Sequence, residues 1–374
     1  MRIVIAGAGE VGSHLAKLLS FENQDIVLVD RDASRLANID ANYNLMTYVG
    51  RPTSFQTLRE AGVENCDLFI AVTPYETSNV VACSMAKQIG AGKTVARIDN
   101  YEFMNKENRE YFRTIGVDSL IYPEFLAAQE IITALKRPWV RHWFELSNGE
   151  ILLVGVKMRE SSKLIGMQLK ELAALQPTFH ISAIKRRHNT IIPRGDDYIK
   201  LNDILYFTTT RNHVDDLLEI CGKTNYDVKK VMIMGGSRIA IRTVDLADDE
   251  YKFKIIEQNL DMCQVLAEQC PDCDIVHADA RDIDVLREEG LDEYDAFIAL
   301  TDSSETNILA CIMAKEFGVA KTIAEVENLQ LISEAEGLNI GTTINKKLLA
   351  SSTIFQLLLD ADSSTSKCHS LTDA

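Results

Sequence analysis

Long apolar runs are missing from this chain. No stretch of 18 apolar residues occurs among its 374, so no helical membrane span is expected. Positive charge is also in short supply. Lys and Arg number 39 against 55 Asp and Glu, a net charge of −16, so no nucleic-acid partner is expected beyond a local basic patch. The N-terminus has no basic region, apolar stretch or small-residue cleavage site, and no signal peptide is expected. There is no G-x-x-x-x-G-K-[ST] phosphate loop and no H-E-x-x-H pattern, which removes the strongest sequence signs of a P-loop NTPase or a zinc peptidase. The eight cysteines are scattered, which suits reduced thiols in a cytoplasmic setting. Cys270 and Cys273 have C-x-x-C spacing, but no second pair completes a metal set, and a structural pair is the simpler reading. None of the seven histidines has an evident acid partner. Tyr226 and Lys230 have Y-x-x-x-K spacing yet lead into a strand, which argues against a catalytic pair.

What is present begins at the first residue. Ile3-Val4-Ile5 reads as a buried parallel strand. It runs into Gly7, Gly9 and Gly12 in G-x-G-x-x-G order, with Ala8, Glu10 and Val11 between. Such a loop turns tightly, lets a pyrophosphate approach the backbone and offers helix N-terminal amides to it. A second apolar run, Ile26 to Val29, ends in Asp30, 18 residues after Gly12, the place of a ribose-binding acid. Asp30 could instead cap the next helix. An acid here favours NAD over NADP, although Arg31 keeps the latter open. Further strands over 44–49, 67–72 and 93–98 alternate with helices, the pattern of a parallel sheet covered on both faces. Gly7, Asp30, Gly50 and Thr73 all fall at carboxyl ends of strands, where ligands of such sheets bind. Thr73 is a hydroxyl donor to phosphate or ribose, or a helix-entry residue. Asn79 supports that loop or, as the simpler reading, sits on a solvated helix face. Arg97 pairs with phosphate or with Asp99, and Arg51 is a further phosphate candidate.

From about 140 to 222 the pattern changes to short strands around two helices, a compact α+β unit. Lys185, Arg186, Arg187, His188 and Arg194 cluster around one hairpin, most simply as solvated turn residues. The first pattern then returns with a shift of 228. Over 69–100 against 297–328, 15 of 32 positions are identical, which marks a duplication. The second glycine loop reads Gly235-Gly236-Ser237-Arg238-Ile239-Ala240, and Glu257 stands where Asp30 stands in the first. Gly235, Ser237, Arg238 and Glu257 are therefore weaker candidates for a second, altered site. Asp279 replaces Arg51. The expected fold class is α/β: two Rossmann-like parallel-sheet lobes with a small α+β lobe between them. The expected boundaries are 1–138, 139–222 and 229–352, with a short tail over 353–374.

The ordered set VIAGAGEVGSHLA, VDRD, FIAVT with NVVACSMAK, SSKLIGMQLKEL, and the repeat FIALT with NILACIMAK resembles the TrkA family. These are NAD-binding regulatory subunits of bacterial potassium-uptake systems, built from tandem RCK domains. The resemblance covers residues 1 to about 350. It implies a non-enzymatic protein in the cytoplasm, attached to the inner face of the membrane through a TrkH-like potassium-transporter subunit, and a homo-oligomer, a tetrameric ring in its full-length form. Nucleotide binding would reshape the ring and gate potassium flow. The implied cofactor is NAD or NADH at the first site, with ATP or ADP as alternatives. Gly7, Gly9, Glu10, Val11 and Gly12 would hold pyrophosphate, Asp30 the ribose, and Arg31, Arg51, Thr73 and Arg97 would lie about the phosphates. No metal site and no catalytic residue is implied. Arg51 departs from the acid often found there, and Ser237 and Ala240 depart in the second loop. A second small lobe would follow residue 350, so the sequence reads as truncated or as naturally lacking it. An NAD-dependent oxidoreductase and a scaffold with vestigial sites are the alternatives.

Overall fold

A computed structural model describes the chain except residues 22–23, 41–42, 147–148, 175–176, 188, 339 and 362–374. His188 and most of the expected tail thus lie outside the described residues. The first sheet comprises β1 (Arg2–Ala6), β2 (Asp25–Asp30), β3 (Met46–Val49), β4 (Leu68–Ala71), β5 (Lys93–Arg97) and β6 (Ser119–Ile121). Between them run α1 (Glu10–Ser20), α2 (Ala33–Asp40), α3 (Phe55–Glu60), α4 (Glu76–Ile89) and α5 (Lys106–Thr114), and α6 (Pro123–Lys136) follows. The strands are all parallel, in the order β3-β2-β1-β4-β5-β6. The order reverses between β1 and β4, so their carboxyl ends open a crevice there. Helices cover both faces, so the strands carry no polar alternation: Ile3, Val4 and Ile5 are all fully buried.

The middle lobe is antiparallel. Its strands β7 (His142–Leu146), β8 (Ile151–Lys157), β9 (His180–Arg186), β10 (Asn189–Ile191) and β11 (Ile204–Thr209) order as β10-β9-β11-β8-β7. Helices α7 (Leu169–Ala174) and α8 (Val214–Ile220) accompany them. Phe179 meets Phe207 edge-to-face at 5.3 Å in its core. Arg186, from the basic hairpin, makes two 2.8 Å bonds to the buried Asp203, so it is a structural ion-pair residue.

The second parallel sheet repeats the first. It holds β12 (Lys230–Met234), β13 (Lys252–Glu257), β14 (Asp274–His277), β15 (Ala296–Ala299), β16 (Lys321–Glu325) and β17 (Thr342–Ile344). Their order is β14-β13-β12-β15-β16-β17. Its helices are α9 (Arg238–Leu246), α10 (Leu260–Gln269), α11 (Ile283–Glu288), α12 (Ser304–Glu316) and α13 (Leu329–Gly337). The two parallel lobes and the α+β lobe between them are the architecture expected from the sequence.

The chain divides into two compact units: Met1–Leu126 with the segment from Lys346, and Ala127–Asn345. The last helix, α14 (Lys346–Ala361), therefore belongs with the first sheet. Its Ala350, Ile354, Phe355 and Leu358 join Leu15, Leu19, Ile26 and Leu28 in one core. The expected boundary at 352 falls inside this helix. A period of helical apolar residues continues across it, and burial of that face outweighs the end of the sequence repeat. Among the described residues no helix is long and apolar enough to cross a membrane.

Candidate nucleotide sites

The first glycine loop closes the gap between β1 and α1. Gly7 has φ +112°, and its amide donates to the Val29 carbonyl at 2.8 Å. A Cβ on Gly12 would stand 1.8 Å from the Gly7 carbonyl oxygen, so that position admits only glycine unless the loop shifts. Gly9 is different. A Cβ there would meet nothing within 4 Å, and α1 starts without a side-chain cap. The N-terminal amides of α1 are thus left to whatever approaches from the crevice. Val11 is buried in the core, while Glu10 is exposed and ion-pairs with Lys347 of α14.

Asp30 is buried, with 7% of its surface exposed. Its Oδ2 accepts from the Ala8 amide at 2.6 Å and its Oδ1 from the Asp32 amide at 2.9 Å. It therefore braces the glycine loop and the entry to α2 together. It supports local backbone, and each carboxylate oxygen has the capacity to accept a further hydrogen bond.

A cavity of about 410 Å³ opens beside it, lined by Asp30, Arg31, Arg35, Arg51, Thr73 and Tyr75 among others. Three guanidinium groups face one carboxylate, so the cavity favours an anion. Arg97 does not line it. It pairs with Asp99 at 2.9 Å, the alternative raised by the sequence. Thr73 lines the cavity, but its hydroxyl donates to Asn79 Oδ1 at 2.6 Å.

Asn79 corrects the expectation of a solvated helix position. It is 1% exposed. Its Oδ1 also accepts from the Thr73 amide at 2.9 Å, and its Nδ2 donates to the carbonyls of Thr73 and Arg97 at 3.0 and 2.9 Å. One side chain thus ties the ends of β4 and β5 together. Asn307 does the same in the repeat, bonding Thr301 and the Glu325 carbonyl. Retention of this Asn in both copies was the signal in the sequence. Arg35, four residues after Arg31 on α2, is a cavity residue that the motif spacing did not single out.

The second cavity, about 460 Å³, is lined by Gly235, Ser237, Glu257, Asp279, Arg281 and Asp302 among others. Glu257 Oε2 accepts from the Gly236 amide at 2.6 Å, the counterpart of the Asp30 brace. The helix start differs. Ser237 Oγ accepts from the Ala240 amide at 3.4 Å and caps α9. A serine occupies the place left open at Gly9. The charge also reverses, with three carboxylates against Arg281, whose guanidinium bonds Asp279 at 2.6 Å and holds that carboxyl below the usual range. Arg238 is exposed at the start of α9 and does not line the cavity.

Among the described residues no histidine lines either cavity. His14 is half-buried, and its desolvation, then the neighbouring Lys17, lowers its basicity. His142 is pushed down to about 3 by burial and by Lys185, Arg141 and Lys321, and stacks near Tyr206 with centroids 5.7 Å apart. His213 pairs with Asp216 at 3.0 Å at the exposed start of α8, an acid partner that the sequence did not reveal. Lys230 bonds Glu293, not Tyr226. The described residues contain no group of ligands that could hold a metal ion.

Comparison with known proteins agrees with this duplication. The TrkA-N domain matches residues 3–123 and again 231–346, and the TrkA-C domain matches 153–222. The Trk system potassium uptake protein TrkA of Halomonas elongata is 31% identical over 348 residues, 92% of this chain and 76% of that protein. The TrkA homolog of Archaeoglobus fulgidus is 31% identical over 360 residues, 96% of this chain and 81% of that protein. In structure, the GsuK RCK domain aligns with a TM-score of 0.66 at 16% identity, over 97% of this chain and 77% of that one. The GsuK channel bound to NAD aligns with a TM-score of 0.67 at 16% identity, and this chain spans 64% of its length. These structural likenesses establish the fold, and the sequence matches establish the family: the chain belongs to the TrkA family of potassium-uptake proteins.

Proposed function

We propose that this chain is a nucleotide-responsive regulatory subunit of a membrane potassium transporter, with the first glycine loop as its sensing site. The observation that carries the reading is the uncapped start of α1 at Gly9, open for 4 Å around and next to a cavity lined by Arg31, Arg35 and Arg51. A dinucleotide or an adenine nucleotide suits it: pyrophosphate oxygens on the amides of Gly9 to Gly12, ribose hydroxyls on Asp30, and guanidinium groups offsetting phosphate charge. Thr73 takes part through its loop, which Asn79 holds, and Arg97 acts at most indirectly through Asp99. The second site, capped by Ser237 and rich in carboxylates, repels a diphosphate and is a poor or differently selective site. The relatives are named for potassium uptake, and one fold neighbour was captured bound to NAD and another bound to ADP. The partner we propose is a TrkH-type membrane subunit, held by a ring of four chains at the inner membrane face. Binding energy that differs between two ring arrangements then shifts the transporter between conducting states.

The test is calorimetric titration of the chain with NAD, NADH, ATP and ADP, repeated with Gly9→Asp, and then potassium flux through the reconstituted complex. Saturable binding lost in Gly9→Asp, and flux that follows occupancy, is the expected result. Equal binding by both proteins, or flux indifferent to nucleotide, overturns the reading.

A further inference from the structure

A cation-lined cavity that shares no lining residue with either nucleotide cavity lies within the unit that holds the middle lobe and the second parallel sheet. It has a volume of about 260 Å³. Six cationic side chains line it: Arg141, Lys157, Arg159, Lys223, Lys315 and Lys321. No carboxylate is among its described lining residues. In a chain with net charge −16, such a concentration of one sign runs against the whole molecule.

The two copies of the fold show what is missing here. In the first copy, Asp118 precedes β6. Its Oδ2 accepts from Lys87 Nζ at 2.8 Å and from the amide and hydroxyl of Thr94 at 2.8 and 3.3 Å. Lys315 and Thr322 are the second-copy counterparts of Lys87 and Thr94 under the shift of 228. The strand registers Val95↔Ser119 and Ile323↔Thr342 then align Asp118 with Gly341. The carboxylate has been replaced by a glycine, and that glycine lines the cavity. Thr322 is fully buried, and its hydroxyl has no hydrogen-bond partner among the described residues. A Cβ on Gly341 would stand 2.0 Å from the Thr322 carbonyl oxygen and 2.6 Å from its hydroxyl, so the backbone has closed over the space a side chain would need there and only the carboxylate's charge is lost.

Lys315 keeps its bond to the Ala320 carbonyl, as Lys87 keeps its bond to Gly92. Lys321 Nζ donates to Thr342 Oγ1 at 3.0 Å and to the Pro138 carbonyl at 3.3 Å. Those dipoles anchor the amines without neutralising them. Burial first, and neighbouring cations second, lower the basicity of Lys223, Lys315 and Lys321, while Glu130 acts the other way on Lys321.

We infer that this cavity binds a small phosphate-bearing anion, whose charge answers the cations that line it where the first copy has the Asp118 carboxylate beside its lysine. Its volume is at the small end for ligand pockets, which suits a diphosphate group and not a whole dinucleotide. The bound anion would join cations from the start of β7, the end of β8, the segment after α8, α12 and β16. It would thereby tighten the middle lobe onto the second sheet.

Titration of inorganic diphosphate into the full chain carrying Gly9→Asp, which silences the first loop, tests the inference. Saturable binding is expected, with uptake of protons at neutral pH as the lysines become fully charged. The rim variants Arg159→Gln and Lys223→Gln should each weaken binding about tenfold, as loss of one charge-assisted contact does, with the thermal midpoint unchanged. Absence of saturable binding overturns the proposal. So does binding that neither variant weakens while both stay folded, or binding without proton uptake.

Discussion

At the scale of single residues, the two glycines of the first loop separate stability from binding. Gly12→Ala forces a Cβ onto the Gly7 carbonyl, so both the thermal midpoint and nucleotide affinity should fall. Gly9→Asp places its side chain in open space at the N-cap of α1, so the chain should melt no lower than the wild type and lose nucleotide binding. Calorimetry paired with thermal unfolding distinguishes the two. Asn79→Ala leaves the Thr73 amide and two carbonyls without their buried partner. A loss of about 3 kcal/mol is expected in denaturant unfolding, since unmet buried polar groups cost about 1–3 kcal/mol each. Lys321 carries a pH dependence. Burial first, then Arg141 and Lys315, with Glu130 opposing, push it down to about 7. An unfolded lysine titrates at about 10.4. Between these values the unfolded chain binds more protons, so stability rises as pH rises through that window. Below it both states are charged and the dependence from this group ends. Lys321→Met should flatten the rise of thermal midpoint with alkaline pH. An unchanged slope would locate the effect in Lys315, pushed down to about 8.

At the scale of elements, one difference between the two copies is how a helix begins. The start of α9 is capped by Ser237, whereas α1 has no side-chain cap. Against a glycine N-cap such a side-chain cap adds only a few tenths of a kcal/mol, so α1 is left nearly as stable while its amides stay open to a ligand. Asn79 and Asn307 act on elements too, because each links the ends of two neighbouring strands. The helix α14 shows how far packing reaches along the chain. Ile354 is fully buried against the first core, although its helix follows directly on β17, the last strand of the repeat. Ile354→Ala should destabilise the first unit by about 3 kcal/mol, as cavity-forming core truncations do. Hydrogen exchange at β1 would report it; unchanged protection there would mean that α14 contributes little to that core.

At the scale of the whole molecule, the duplication is structurally faithful and chemically unequal. Both sheets share one strand order and one Thr–Asn brace, yet one cavity is lined by three arginines and the other by three acids. A regulatory response that runs through the first copy should therefore be asymmetric. In a reconstituted transporter complex, Gly9→Asp should abolish the dependence of potassium flux on nucleotide, while Ser237→Asp should leave it in place. Equal loss from both substitutions would mean that the second loop senses as well.

Much of this was legible before the fold. Gly7, Gly12 and Asp30 could be assigned to a loop because backbone strain and charge at those positions leave few other uses, and the repeat of FIAVT as FIALT announced a second sheet. Alternation of strand and helix over short loops determined the parallel lobes. Tertiary structure decided what depends on neighbours distant in sequence. Asn79 became a buried brace because Thr73 and Arg97 converge on it across two strands. Arg97 turned to Asp99, and α14 joined a core built by the first strands and helices of the chain. Six cations met around one cavity because three-dimensional packing, not spacing, brings them together. Local propensity and periodicity act over a few residues and are written in order along the chain. Hydrogen-bond satisfaction and charge proximity act through space and are settled only when the sheets have formed.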